Sequence, residues 1–505
     1  MNITLECGME FNAVEASDSS PVMTVNLKSV MLRTGCGTSG PGMKDSSSNK
    51  CPRLFTEILD MIVDDLASHL IDHFPGDLSE PQAIMPTLYS CALTSRHMRT
   101  RVNQHLFKEI EIKDYKFTLQ GFRPSGKVDL QLLIARIKGL VAIMDANPAI
   151  KTHIQSFVLS FFAMNATHLN HEENCDGFVK LQDALMTLLP KLPATLQKFS
   201  FVNLYGQFDL RRFQQEVLAA IMAFVASPSL ESLSFSNIAE FPLSALSHPI
   251  NLKRIRLHVT SLPTTEEVPV GSVQFPFQLT ELNAFNSPKI VEHFVRAGPS
   301  GPLSTLEELL TDLVYDANIL LAWDIMCGSA QTLRSIEASL INDALYSTIY
   351  PDLIDLSLLP SLRFIKLAYM IGSREGERIG VPASIIKILT SPRGQPNTLK
   401  TIHLRLNWEC VTTSSYPYVF HPLHGWAELD AALIDTRAFP ALKEVVLNLD
   451  LGFLWLEPDL TDEHKETLKA AVQPYVDAIL PSLRRSAVIQ LNIDLKVYKG
   501  FHSPH

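Results

Sequence analysis

With 505 residues, 46% hydrophobic and 19% charged, the chain is too long for one ordinary core and too apolar to be a disordered polypeptide. A net charge of −10, with no basic run, excludes a general nucleic-acid binder. No apolar run is long enough to span a bilayer, and the first residues lack a basic start followed by an apolar core, so neither a membrane span nor a secretory signal is expected.

Residues 1–50 hold no sustained periodicity and become rich in Gly and Ser after Met31, which predicts a flexible tail. Gly35–Gly40 is formally a GxGxxG run. Pro41-Gly42 and a polar stretch follow it where a dinucleotide site needs a helix, so it is read as part of the tail.

Residues 51–112 form the next unit. Ile58, Leu59, Ile62 and Leu66 recur at helical spacing, with Glu57, Asp60, Asp64 and Asp65 largely opposite. A second amphipathic run carries Leu88, Cys91, Ala92 and Ser95 on one stripe. A third ends in His105-Leu106-Phe107-Lys108-Glu109-Ile110-Glu111-Ile112, whose last residues alternate as in a strand. Helices this short need something to lie against.

The order of these residues resembles the F-box, in the form common in fungal proteins. Leu54, Glu57, Ile58, Leu59, Ile62 and Leu66 match its first segment. Leu88, Cys91, Leu93 and Arg96 match its second, and His105, Leu106, Phe107 and Ile110 its exit. Phe55 stands where the family has Pro, Met98 stands where Trp is usual, and Ala67 to Thr87 make a longer gap than the motif needs. The resemblance implies docking on the Skp-type adaptor of a cullin–RING (SCF-type) ubiquitin ligase. The implied contact residues are Leu54, Phe55, Ile58, Leu59, Ile62, Leu66, Leu88, Cys91, Leu93 and Arg96. Read without it, the same helices cap the array that follows.

Lys127 to Asn147 reads as a helix burying Leu130, Leu133, Ile134, Ile137, Leu140, Val141 and Met144. Beyond it an apolar-x-x-apolar-x-apolar pattern recurs ten times, from Ile154-x-x-Phe157-x-Leu159 to Leu442-x-x-Val445-x-Leu447. The middle copies start at Leu252, Leu279, Leu306, Leu333 and Leu362, at spacings of 27, 27, 27 and 29 residues. That period and pattern are those of leucine-rich repeats, in which each short strand pairs in parallel with the next and no single repeat closes a core. An ordinary α/β domain with chance spacing is the alternative. The repeats are irregular, as in fungal F-box proteins. The turn asparagine expected three residues after the last apolar position occurs cleanly only as Asn407.

Helices are predicted at Asp209–Ala226, Ile290–Arg296 and Ala317–Cys327, and bulging loops at Ser261–Phe277, Gly372–Val381 and Asn407–Phe420. A helix at Thr461–Leu480 and a strand from Val488 to Leu495 complete a cap. The expected fold is therefore α/β, with F-box-like helices followed by an irregular leucine-rich-repeat solenoid (a horseshoe) over residues 113–505.

Nothing in the sequence assembles catalytic chemistry. His168 to Cys175 and His421 to His424 gather possible ligands at spacings that match no established metal site, and read as polar loops. The seven cysteines form no CxxC pair, which fits free thiols in a reducing compartment, cytoplasmic or nuclear. No cofactor, metal, nucleic-acid or membrane partner is expected. The expected role is substrate recognition for the ligase. The alternative is a repeat scaffold with no ligase association, and an enzyme of another type ranks third. On the face alternating with the core, Arg254, Arg256, Lys366, His403 and Arg405 suggest an electropositive groove for an acidic or phosphorylated segment of an unknown target protein. Phe364, Glu444 and Val446 hold equivalent places, so solvated strand edges remain the other reading, with the loop Asn407–Phe420 the next candidate for the target site.

Overall fold

The computed structural model describes residues 59–61, 63–64, 87–88, 90–93, 95–113, 130–162, 164, 172–263, 273–314, 316–341, 354–371, 380–390, 396–408, 420, 425–453 and 461–499. Two units are distinguished, Met1–Phe55 and Thr56–His505. The first contains the tail expected over 1–50 and lies outside the described residues.

The second unit opens with helical residues in 59–64 and 87–93, then α1 (Arg96–Leu106). Strand β1 (Glu109–Lys113) follows after two residues, and α2 (Leu130–Ala146) and a 3-10 turn (Pro148–His153) lead to β2 (Ser156–Phe161). Then come α3 (Glu172–Leu188), β3 (Lys198–Asn203), the short β4 (Phe208–Asp209), α4 (Gln215–Val225), β5 (Ser232–Ser236) and the short β6 (Ile238–Ala239). The middle holds β7 (Arg254–His258), β8 (Glu281–Phe285), α5 (Pro288–Arg296), β9 (Glu308–Asp312), α6 (Asp316–Gly328) and β10 (Ser335–Ile341). The last part is β11 (Phe364–Ile371), α7 (Ala383–Thr390), β12 (Thr401–Trp408), α8 (Ala427–Ile434) and β13 (Glu444–Phe453), closed by α9 (Asp462–Ala478), α10 (Pro481–Arg484) and β14 (Gln490–Lys499).

Twelve strands form one parallel sheet in the order β1-β2-β3-β5-β7-β8-β9-β10-β11-β12-β13-β14; β4 and β6 pair separately. Each sheet strand lies beside the next one in sequence, and the sheet does not close into a barrel. The second position of every apolar copy falls in one register row: Phe157, Phe199, Leu233, Ile255, Leu282, Leu309, Ile336, Ile365, Ile402 and Val445. Ile110 extends the row at β1 and Leu491 at β14. All ten second positions are at most 1% exposed. The third positions, from Leu159 to Leu447, form the next inward row and are also buried, Thr311 among them. These rows and the apolar faces of the helices make one continuous core. The second and third positions of each copy are two residues apart, the period of the strand pleat, so both lie on one face, and burying that face fixes the same register in all ten copies.

Aromatic residues fill the core at β2, β3 and β5. Phe161 and Phe201 meet at 5.3 Å between ring centroids, and Phe208 and Phe213 at 5.0 Å. Helix α2 buries the residues its spacing indicated, Val141 being only half-buried. The stretch expected as one helix from Asp209 is divided: Asp209 ends β4, Leu210–Arg212 is a 3-10 turn capped by the Asp209 carboxylate, and α4 starts only at Gln215. In the run 168–175, read as a loop, residues 172–175 already belong to α3. Thr461 caps α9, whose start the sequence indicated.

Asn407 does not occupy a turn. β12 runs on to Trp408, so Asn407 is a strand residue on the face opposite the core, and residues 409–419 of the loop expected there lie outside the described residues. The turn role belongs to other residues. The Asn203 side chain accepts from Met164 N–H at 2.8 Å, and the Asn237 amide donates to the Asn203 carbonyl at 2.7 Å. Thr260 Oγ1 donates to the Phe235 carbonyl at 3.2 Å, while Thr260 N–H donates to Ser287 Oγ at 2.9 Å. Asn286 N–H donates to Asp312 Oδ1 at 3.1 Å. Polar groups at the ends of β3, β5, β7, β8 and β9 thus satisfy the backbone where each strand turns into the next connection, which a buried turn requires.

Candidate functional site

Two surfaces collect the residues singled out above. The first is the helical cluster ahead of β1. Its interior is Val63, Leu88, Met98 and Val102, with Leu59, Cys91, Ala92 and Leu106 around it. Leu59 and Val63 are four residues apart and share the inward face, as helical spacing requires. Met61 lies on the other side and is 69% exposed. Leu93 is 76% exposed.

Ion pairs fasten this cluster. Arg101 Nε and Nη2 donate to the two oxygens of Asp64 at 2.7 and 2.5 Å, and His105 Nε2 lies 2.8 Å from Asp64 Oδ1. The bidentate Arg101 guanidinium is the main cause that holds the Asp64 carboxyl at about 2. Asp60 meets His97 at 2.9 Å. Ser95, placed by spacing on the buried stripe, is exposed and caps α1 instead: its hydroxyl accepts from Met98 N–H at 3.1 Å.

Of the residues tied to the adaptor by resemblance, Leu54, Phe55, Ile58, Ile62 and Leu66 lie outside the described residues. Leu88 is wholly buried, so it holds the helices together and offers no surface. Leu59 and Cys91 are half-buried, and Leu93 and Arg96 are exposed. Val63, at the centre of the cluster, was missed in the sequence although it stands four residues after Leu59 and three before Leu66, at helical spacing.

The second surface is the outer face of the sheet. Arg254, Arg256, Lys366, His403 and Arg405 all project from it, since they alternate with the inward rows. They form two groups. Four strand spacings, about 19 Å, separate β7 from β11. Arg256, Lys366 and Arg405 have local partners. Arg256 Nη2 donates to Glu281 Oε1 at 2.9 Å, Lys366 Nζ to Glu337 Oε1 at 2.5 Å, and Arg405 Nε to Asp450 Oδ2 at 2.7 Å. Burial, then the Lys366 charge, pushes the His403 imidazole down, and the Asn448 amide donates to its Nε2 at 2.8 Å. Burial and the Lys366 charge thus both disfavour a charged ring at His403. Arg254 is half-exposed and forms no ion pair with another described residue.

At the far end Tyr498 lies across Gly452 and its hydroxyl donates to Asn407 Oδ1, two strands away. A Cβ at position 452 would sit 3.0 Å from three atoms of that tyrosine side chain, so the ring packs closely over the glycine. Glu444 Oε1 accepts from the Asn492 amide at 3.0 Å. From β10 to β14 the face thus carries several matched polar pairs between neighbouring strands, with Phe364 and Val446 among them. Pairings such as Arg405–Asp450, 45 residues apart, carry no local signal. Only the strand register brings them together.

Among the described residues, no cluster of three or more His, Cys, Asp or Glu could hold a metal, and no helix is long and apolar enough to cross a membrane. His168, His171, His421 and His424 lie outside the described residues. Comparison with protein-family models and with curated proteins gives no match.

Proposed function

We propose that the chain is a substrate-recognition subunit of a cullin–RING ubiquitin ligase. The helical cluster would dock the Skp-type adaptor, and the sequential parallel strands would be an irregular leucine-rich-repeat solenoid presenting a target site. The observation that carries this reading is the exposure of Met61 and Leu93 on a cluster whose interior is closed, in the stretch that resembles an F-box. Burying two such side chains in a partner contributes roughly 1.5–3 kcal/mol each. The mechanism is positional: holding a target beside the ligase raises its effective concentration.

Affinity purification of the full chain, with identification of bound proteins, tests the reading. The adaptor and cullin are expected with the native chain and absent with Met61→Asp/Leu93→Asp. Leu59→Asp is a poorer probe, because Leu59 lies against the cluster interior and its loss would disturb folding.

A scaffold without ligase association is the second reading. It is favoured by the contact of α1 with the 3-10 turn Pro148–His153 and by the two-residue passage into β1, which a simple cap on the sheet would also have. Capture of partners other than the adaptor, unchanged by the double substitution, would select it.

A further inference from the structure

We propose that the outer edge of β14 is a pairing surface for a second copy of the same chain, in antiparallel register centred on Leu495. Among the described residues β14 has one neighbour, β13. Gln490 N–H donates to the Lys443 carbonyl, and Gln490 stands opposite Glu444. In a parallel ladder this alternation directs the backbone groups of the even-numbered residues toward β13. Those of Leu491, Ile493, Leu495, Val497 and Lys499 face the open edge.

The inward row is also unfinished there. Val445, Leu447 and Leu449 of β13 are fully buried, but their neighbours Leu491, Ile493 and Leu495 are only half-buried. A long edge of this kind is a template for another strand.

The side chains select the occupant. Around a twofold axis at Leu495, the residues with free backbone groups pair with one another: Leu495 with its own copy, Ile493 with Val497, and Leu491 with Lys499. At the centre of the contact, Leu495 and the Ile493–Val497 pairs then bring apolar positions of the inward row together. On the other face Asp494 stands opposite Lys496 of the second copy, twice, in the closely spaced non-hydrogen-bonded pairs where side chains approach best. Both residues are exposed, and among the described residues they form an ion pair with each other at 3.3 Å. Moving the centre to Ile493 sets Asp494 against Asn492 and Lys496 against Gln490. Moving it to Val497 sets Lys496 against Tyr498. Only the Leu495 centre matches opposite charges, and a twofold contact of this kind closes on itself without growing further.

The test is light scattering with size exclusion on the full chain over a concentration series. A dimer is expected for the native chain. Lys496→Asp and Asp494→Lys, each alone, set like charges opposite and should raise the dissociation constant about tenfold. The exchange Asp494→Lys/Lys496→Asp should restore it. Leu495→Pro removes an N–H that faces the open edge, as proline on an edge strand can. It should abolish the dimer while the chain stays folded by circular dichroism, with a modest fall in melting temperature because the half-buried Leu495 side chain packs against the core. A native chain that stays monomeric at the highest concentration, or a dimer that the charge exchange does not restore, would overturn the proposal.

Discussion

Arg405 Nε donates to Asp450 Oδ2 at 2.7 Å between adjacent strands, and the Asp450 side chain is only 5% exposed. The arginine is therefore more a counter-ion for a nearly buried carboxylate than a free cation waiting for a ligand. Arg405→Glu should leave Asp450 without its partner and add a repelling charge, at a cost of about 2 kcal/mol. Urea midpoints read this directly. Arg254→Glu, with no ion pair to another described residue to break, should move the midpoint far less. Target-binding tests on this face are accordingly cleaner at Arg254 than at Arg405.

Asp64 makes the helical cluster sensitive to acid. Its folded carboxyl is held at about 2, below its ordinary value of 3.8. A lowered folded value means that the unfolded chain takes up the proton first as pH falls. The contribution is present above about pH 4 and is lost as pH falls toward about 2. With both partners partly exposed it amounts to about 1 kcal/mol. Amide-exchange protection of α1 should fall over that window in the native chain and be lower, and flat, in Asp64→Asn.

Asp312 runs the other way. Burial raises its carboxyl above the ordinary range, against hydrogen bonds from Asn286 N–H at 3.1 Å and Asn318 Nδ2 at 2.8 Å. Here the folded chain keeps the proton longer than the unfolded one. Stability at β9 should therefore rise as pH falls from the raised value toward about 4. Comparing exchange protection of β9 with that of α1 separates the two groups by sign, and Asp312→Asn should remove the rise.

Gly452→Ala tests the Tyr498 contact. The added methyl group would press on the tyrosine ring at 3.0 Å, so the ring must shift by a few tenths of an ångström, which should weaken the bond to Asn407 while leaving the inward rows untouched. A loss of about 1 kcal/mol is expected in a urea titration. Tyr498→Phe should lose a similar amount, and the double variant little more than either, because the two act on one bond.

The inward rows were legible because each copy repeats the same local spacing, and Phe157 and Val445 obey it equally well far apart in the chain. The divided stretch after Asp209 was not, because Leu210 and Phe213 have helical spacing while the Asp209 carboxylate caps a tighter turn. Asn407 misled for a related reason: the repeat rule assumes a short strand, and β12 is eight residues long. The turn residues Asn203, Thr260 and Ser287 were visible in type but departed from one fixed residue and offset. The outer face was read correctly for direction. Its charge balance, as in Lys366 with Glu337, depends on which strands are neighbours.

The central claim is that the helical cluster docks the Skp-type adaptor, and a calorimetric titration of the purified full chain with that adaptor tests it most directly. One-to-one binding is expected, weakened by at least about a hundredfold in Met61→Asp/Leu93→Asp, given roughly 1.5–3 kcal/mol for each buried side chain. The urea midpoint of the variant should match the native chain, since both residues are exposed. A native chain that binds no adaptor, or a variant that binds it equally well, would contradict the claim.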